Sequence, residues 1–346
     1  MGPSVLSTAT KTEAVVRPAL ALMPALAAAC YPLWLRAAHA VAGPLAALPL
    51  LAALAMPLLA FTAWVREARR PAGSAFERRA GRLALLACAA PPLFVWISFL
   101  LGVLGRPLHE LVAWVGAWAI AAAWVWRGDP AGRARPGPAP DATARIVHGL
   151  LAALLLAFVV FHLANHLAGL LGPQAHAALM QAGRRLYRMP AVEAMLVVLL
   201  LLQLALGAWL AWRWSAKGMD GYRAVQVATG VYVGFFLLTH MNSALVSARL
   251  MHGWETDWAW ASAAPVGLLR DAWSIRLLPH YALGVFCVLA HLACGLRVVL
   301  LAHGRRPGMA RRVWWAGLIF AAAVAAAIVA GLCGLRIGAG APLQGA

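Results

Sequence analysis

The chain has 346 residues, of which 63% are hydrophobic and only 12% charged, with a mean hydropathy of +0.78. One soluble core cannot bury that much apolar surface, so the composition excludes an ordinary soluble domain and predicts an integral membrane protein. The net charge of +18 does not indicate nucleic-acid binding, because the arginines lie in short runs between apolar segments, where they orient membrane helices.

The N-terminal region is predicted to contain four membrane spans. A polar segment of about 18 residues comes first and lacks the pattern of a cleaved signal, so we expect the following apolar segment to be retained as a helix. Each span approaches the length that a helix needs to cross the hydrocarbon layer. No function is assigned to this region, residues 1–126. Its predicted spans are Ala19–Trp34, Val41–Val65, Leu83–Leu104 and Leu111–Trp126.

The remainder of the chain is predicted to form a five-helix bundle. A segment rich in arginine, proline and glycine, residues 127–145, interrupts the apolar pattern and is interpreted as a linker. We therefore expect an all-α integral membrane protein of about nine transmembrane helices, with four helices before the linker and five in residues 146–346. The five later spans are Ile146–Leu171, Val192–Trp212, Ala224–Val246, His280–Leu301 and Val313–Leu335.

Arginine placement predicts the orientation of these helices. The segment Arg66–Arg82 carries six arginines and two glutamates, and His303–Arg312 carries four arginines and no acid. Nine spans place both segments on one side, which is predicted to face the cytoplasm across a bacterial inner membrane. On the opposite side, a cluster of arginines without neighbouring acidic residues is suited to pair with haem propionates or lipid phosphates. Together with Arg249, the candidates are Arg184, Arg185 and Arg188.

Imidazole groups at lipid depth are the main chemical signal. An ionisable side chain in hydrocarbon is costly without a partner, and the commonest sites for imidazole are a metal ion or haem iron. His162 and His240 lie at comparable depths in two helices predicted to run in the same direction. Six-coordinate haem iron takes one imidazole from each side, so this pair is predicted to ligate a haem b. His166, one turn beyond His162, is the alternative ligand or a hydrogen-bonding neighbour.

A second mid-membrane position is less well defined. His291 lies at mid-span and is followed by Gly295, while Gln203 lies at similar depth and is followed by Gly207. Glutamine is a poor iron ligand, so this position is expected either to hold a His291–Gln203 hydrogen bond without a cofactor, or to hold a five-coordinate haem or a quinone ring. The remaining histidines considered are expected to be structural, because water or headgroups solvate helix ends and loops: His39, His109, His148, His176, His252 and His303.

The five cysteines lie in or beside apolar segments, and neither CxxC nor CxxCH occurs in the sequence. A disulfide framework, a zinc site and covalently attached c-type haem are therefore not expected, and the cysteines are interpreted as small buried apolar residues.

Several motifs follow one another in order between Arg145 and Arg336. They are HLANHLAGLLG with His162, then Glu193 ahead of Gln203, then Gln226, Thr229 and Gly230 ahead of His240, and finally His291 with Gly295 and Arg297. In order and spacing they resemble the membrane-anchor cytochrome b subunit of succinate dehydrogenases and fumarate reductases, in the single-chain, five-helix form that typically carries two haems.

The resemblance implies that His162 and His240 hold a haem nearer the outer face, and that His291 serves an inner haem together with the position that is Gln203 here. Glutamine departs from the histidine of that family, so the inner haem then lacks its second imidazole. The implied role is electron transfer between a membrane quinone and flavoprotein and iron–sulfur subunits on the cytoplasmic face.

The chain itself is not expected to carry out substrate chemistry. It has no GxGxxG after a strand, no cysteine cluster for an iron–sulfur centre and almost no carboxylate within its apolar segments. Two other classes of function remain open. One is a haem-poor structural or assembly protein that keeps the fold, which the glutamine favours, and the other is a transporter, which the scarcity of ionisable groups disfavours.

Overall fold

The computed structural model describes residues 5–41, 43–69, 73–129 and 141–337, with side chains described from residue 19 onward. Residues 130–140 of the predicted linker lie outside this part of the chain. Within it the structure is helical and contains no β-strand, which confirms the all-α prediction. The helices are α1 Val5–Ala40, α2 Ala47–Ala68, α3 Ala75–Ala87, α4 Ala90–Val103, α5 Glu110–Trp126, α6 Ala142–Ala168, α7 Pro173–Tyr187, α8 Pro190–Trp214, α9 Gly221–Met241, α10 Trp258–Ala261, α11 Leu277–Ala302 and α12 Pro307–Leu332.

The membrane spans agree with the predicted ones except at one place. In the described ranges, eight helices are long and apolar enough to cross a membrane, or nine if a bent pair counts as one span. That pair is α3 and α4, which meet at 72°, so the predicted span Leu83–Leu104 is not one straight helix. Pro91 and Pro92 explain the break: proline has no amide hydrogen for a helical bond, and it is tolerated in a first turn, which both residues occupy in α4.

One compact unit consists of Met1–Pro138 together with Arg213–Ala228. Its interior is built on large aromatic side chains whose polar atoms are paired. The indole nitrogens of Trp64 and Trp114 donate to the carbonyl oxygens of Ala224 (2.9 Å) and Ala28 (2.8 Å). Both indoles are fully buried, so each contributes apolar area without leaving a donor unsatisfied.

The second unit, Ala139–Trp212 with Thr229–Ala346, holds the predicted bundle except for residues 213–228, which belong to the first unit. Here α11 and α12 pack side by side along their length, with Gly317 of α12 facing Ala293 of α11. A Cβ at Gly317 would lie 2.6 Å from that of Ala293, so the glycine permits this close approach. The amide of Ile337 donates to Leu170 O (2.8 Å), which ties the segment after α12 to the turn after α6.

Other helices of this unit stand apart. Closely packed helices have axes about 8–10 Å apart, but among the described residues α6, α8, α9 and α11 make almost no close backbone contact with one another. Side-chain rings occupy the space between them instead. In each of α6 and α8, only 6% of the residues in the most apolar 18-residue stretch are buried inside the protein. Their exposed apolar faces therefore suit contact with lipid.

A three-residue turn, Gly169–Leu171, joins α6 to α7. Its first residue, Gly169, packs against the core and offers a test of that contact. A Cβ at Gly169 would lie 2.0 Å from the ring of Trp258, which is buried in the core between α10 and α12. Gly169→Ala is therefore expected to lower the free energy of unfolding by about 1–3 kcal/mol through overpacking. Thermal or denaturant unfolding in detergent measures it.

Gly149→Ala, within α6, is the control, because nothing lies within 4 Å of a Cβ at that position. It should stabilise α6 by about 0.5–1 kcal/mol, the usual difference between the two residues in a helix. Equal effects of the two substitutions would contradict the packing of Gly169 against Trp258.

Candidate functional site

A row of imidazole rings runs through the second unit. His162 and His166 lie on α6, His176 on α7, His240 at the end of α9 and His280 near the start of α11. Successive ring centres along the row are 5.7 Å apart for His240 and His162, 4.7 Å for His162 and His166, and 5.8 Å for His166 and His176. Four histidines from three helices therefore form a connected row, and His280 joins it through the ring of Phe236, which contacts both His240 and His280.

His162 and His240 face each other across the space between α6 and α9. Their rings are 5.7 Å apart at 69°. A metal ion held at about 2 Å by one nitrogen of each ring would place the ring centres about 6 Å apart. Both rings are only half-buried although they lie at mid-bundle positions, so open space touches them. The distance between the ring centres and the open space beside them are compatible with a metal ion bound between the two imidazoles.

Aromatic neighbours fix the orientation of both rings. Phe158, one turn before His162, stacks on it at 5.6 Å and 21°, and Phe236 stacks on His240 at 5.7 Å and 14°. These phenylalanines follow from the helical repeat, since residues four apart lie one above the other on the same face. The stacked rings restrict rotation of the imidazoles without competing for their nitrogen atoms.

His166 does not face His240 in the same way. Its ring lies perpendicular to that of His162, at 86°, and on its other side is the ring of His176. Its buried Nδ1 has no hydrogen-bond partner among the described residues. Of the two histidines that the sequence left as alternatives, the structure places His162 opposite His240 and His166 behind it.

His280 belongs to the cluster, although the sequence marked it only as the start of a span. It is 2% exposed, its ring lies 4.8 Å from that of Phe236, and its Nδ1 has no partner in the described part of the chain. A Cβ at Gly284 would lie 2.3 Å from the Phe236 ring, so this glycine admits the aromatic ring against α11. The signal that could have found His280 is its distance of about three helical turns from His291, which puts both on one face of α11.

Beyond His166, a group of buried polar side chains lies at the C-terminal end of α6. Asn165 and His176 are 6% and 2% exposed, and the Asn165 amide pairs with His176 Nε2 at 3.1 Å. The Trp258 ring lies 4.9 Å from His176. One atom of each, namely Asn165 Oδ1, His176 Nδ1 and Trp258 Nε1, has no partner among the described residues. The group thus offers a polar ligand both donors and acceptors.

The arginine cluster near this end is compensated by acids distant in sequence. Arg184 donates to a carboxylate oxygen of Glu255 at 2.8 Å and to Thr256 Oγ1 at 3.1 Å, and Arg188 donates to the same hydroxyl at 3.2 Å. Arg249 forms a two-point ion pair with Glu193. These arginines therefore hold the segment after α9 against α7 and α8.

The second mid-membrane position has a composition that the sequence did not predict. Gln203 Nε2 pairs with His148 Nε2 at 3.3 Å, and His291 Nδ1 pairs with Thr229 Oγ1 at 3.4 Å. His148, which we expected to be structural, faces His291 with ring centres 6.3 Å apart. The sequence feature that could have identified His148 is its distance of about four helical turns from His162, which puts both residues on one face of α6.

The described residues contain no group of three or more histidine, cysteine or acidic side chains that could hold a metal ion. Two pairs of imidazole rings from different helices lie close together, His162 with His240 and His148 with His291. Comparisons with protein-family models, with characterised proteins and with solved structures find no match to this chain.

Burial lowers the pKa of His176, and Arg184 lowers it further while Asp257 opposes the shift. Below about pH 6.5, the ordinary pKa of histidine, His176 binds a proton in the unfolded chain but stays neutral in the folded protein. The free energy of unfolding therefore falls as the pH falls. We expect thermal unfolding in detergent to show a smaller loss of stability between about pH 7.5 and about pH 5 in His176→Gln than in the unchanged protein.

The exposed His303 provides the control. His303→Gln should lose as much stability on acidification as the unchanged protein. If His176→Gln did the same, the buried, neutral state of His176 would be wrong.

Proposed function

We propose that the chain is a cytochrome b-like membrane-anchor subunit that carries electrons between a membrane quinone and a flavoprotein and iron–sulfur partner of the succinate dehydrogenase/fumarate reductase type, in a bacterial inner membrane. The observation that carries the proposal is the facing pair His162 and His240, 5.7 Å apart on two helices whose backbones stand apart. Such a pair has little value in hydrocarbon unless something is bound between the rings.

A haem b would be held here by His162 and His240, and the rings of Phe158 and Phe236 line the space beside them. When bound, the haem supplies one-electron redox chemistry. The protein residues provide the ligands, hold them with Phe158 and Phe236, and exclude water with the surrounding apolar side chains. Arg249 and its neighbours at the ends of α7 and α9 are the candidates for pairing with the propionates.

A quinone is proposed at the group formed by Asn165, His176 and Trp258. These buried side chains have unpaired donor and acceptor atoms, and quinone carbonyl groups accept hydrogen bonds while the corresponding hydroxyl groups donate them. His166 lies between this group and His162, with a ring contact to each side. A quinone headgroup there would be separated from the proposed haem by one imidazole ring.

The partner subunits are proposed to dock at the turn between α11 and α12. This turn is exposed and strongly basic, with Arg305, Arg306, Arg311 and Arg312 at or near it. The sequence has no flavin or iron–sulfur motif of its own, so electrons that reach this end of the bundle must pass to another protein. An acidic surface on that protein would complement the arginines.

The first test is the haem content of the purified protein, measured by a pyridine haemochrome assay together with a reduced-minus-oxidised spectrum. We expect bound haem b with a low-spin spectrum, because two imidazoles provide a strong axial field. His162→Ala and His240→Ala should each remove one haem equivalent per chain, and reduction by an added quinol should slow at least tenfold in both.

His166→Ala is the matched control, since it removes an imidazole from the same face of α6 but not the one opposite His240. Its haem content should equal that of the unchanged protein. If the protein binds no haem at all, the cytochrome proposal fails and the structural or assembly protein becomes the better interpretation. Loss of haem in His166→Ala but not in His162→Ala would reassign the ligand.

A further inference from the structure

We propose that one end of the first unit binds the phosphate group of an anionic phospholipid. This end, the basic collar, consists of residues 66–69, 73–82, 124–129 and 213–223. The inference goes beyond the proposed function, because it concerns helices to which that function assigns no role and it requires no haem. The juxtaposition that carries it is a group of arginines held beside tryptophan rings at the ends of membrane helices.

Segments that are far apart in sequence meet in the basic collar. The amide of Met219, in the turn between α8 and α9, donates to Ala68 O at the end of α2 (2.8 Å). Arg82 of α3 donates from Nε to Ser215 Oγ of the same turn (3.1 Å). The end of α2, the helix α3 and the turn between α8 and α9 therefore bring their charged residues to one place.

Positive charge is in excess in these segments. Residues 66–82 contain six arginines and two glutamates, and residues 213–223 contain three cations and one aspartate. Two of the acids have structural partners: Glu77 accepts from backbone amides at the start of α3, and Asp220 accepts from one at the start of α9. The basic collar is therefore complementary to an anion.

Indole rings mark the depth of the basic collar in the membrane. Trp124 and Trp126, in the last turn of α5, are 41% and 62% exposed. Helix α5 is a candidate membrane span that ends at this point. Indole rings are enriched where hydrocarbon meets lipid headgroups, because the ring is apolar and its N–H is polar. The cations beside these rings therefore lie at the level of the headgroups and their phosphates.

Two arginines of the basic collar are held against tryptophan rings. The guanidinium of Arg79 lies 5.1 Å from the ring centre of Trp124 and donates to the carbonyl oxygen of that residue at 2.7 Å. The guanidinium of Arg223 lies 4.6 Å from the ring centre of Trp214. A cation–π contact holds a guanidinium without using its N–H donors, whose planar arrangement matches the oxygens of a phosphate. These contacts thus fix two cations at headgroup level.

Arg66 and Arg69 are the residues that we expect to meet the phosphate. Both are exposed, and they lie at the end of α2, which is also a candidate membrane span. Nη2 of Arg69 lies 2.8 Å from the position that a Cβ of Gly221 would occupy, so this guanidinium reaches the first turn of α9. A phosphate beside Arg69 would therefore meet the cations of α2 and those of the turn before α9.

A lipid suits the basic collar better than an acidic protein does. The exposed tryptophans next to the arginines provide apolar surface, which an acyl chain covers and an acidic protein surface does not. Anionic headgroups attract cations that lie beside the ends of membrane helices, and each such cation strengthens binding about fivefold. The occupant is therefore a phospholipid with a net negative charge.

The experiment is a titration of the full-length protein, in nonionic detergent, with phosphatidylglycerol or phosphatidylcholine, with bound lipid counted by native mass spectrometry. Phosphatidylglycerol should bind more tightly, because the headgroup of phosphatidylcholine has no net charge. Replacing both arginines, Arg66→Gln with Arg69→Gln, should weaken the binding of one phosphatidylglycerol per chain about 25-fold, since two cations are lost.

Two variants serve as controls. Arg66→Lys with Arg69→Lys keeps both charges and should restore most of the binding, which a role in packing alone would not explain. Arg106→Gln is the matched control, because this exposed arginine lies in the turn before α5, about 25 Å from the collar along that helix. It should leave the binding of phosphatidylglycerol unchanged.

Several outcomes would overturn the proposal. One is equal binding of the two lipids, and another is an equal loss of binding in Arg106→Gln, which would mean that any surface charge attracts the lipid. Displacement of phosphatidylglycerol by poly-glutamate at the same total charge would make an acidic protein the occupant instead. Haem content should be the same in all of these variants, so the results are independent of the cytochrome proposal.

Discussion

Imidazole rings at lipid depth are the constraint on which the second unit depends. A polar ring in hydrocarbon must be paired with another polar group or with a ligand, and the unit places its rings between helices instead of toward lipid. His162, His240, His148 and His291 all project into the space between α6, α9 and α11, where backbones stay apart. The spacing of these helices is therefore determined by pairs of rings, whereas α11 and α12, which carry small residues at their contact, pack closely.

Glycine and arginine have complementary roles around these rings. Gly207, Gly230 and Gly284 lie where an aromatic or imidazole ring meets the backbone of another helix, so the ring can approach without displacing it. The arginines lie at helix ends, where Arg184 and Arg249 find carboxylates and their charges stay near water or headgroups.

The arrangement provides a chemical rationale for electron transfer along the bundle. Buried donors and acceptors at Asn165 and His176 lie at one end, two pairs of opposed imidazoles follow at different heights, and a basic turn lies at the other end. In the proposed function, a quinone, a haem and a protein partner would occupy these positions in that order. Gln203, which the sequence placed opposite His291, pairs with His148 in the structure.

The sequence by itself determined the membrane class, the all-α fold, most of the span positions and the polar residues at lipid depth, because apolar length and helical periodicity are local properties of the chain. It could not reveal the bend between α3 and α4 as a break, although Pro91 and Pro92 mark the position, since prolines also occur in continuous membrane helices. Only the tertiary structure decided which histidines meet. Three helices supply His148, His240, His280 and His291. Which of these rings meet depends on how each helix is rotated about its axis and how far apart the helices lie, and the sequence of a single helix does not determine either.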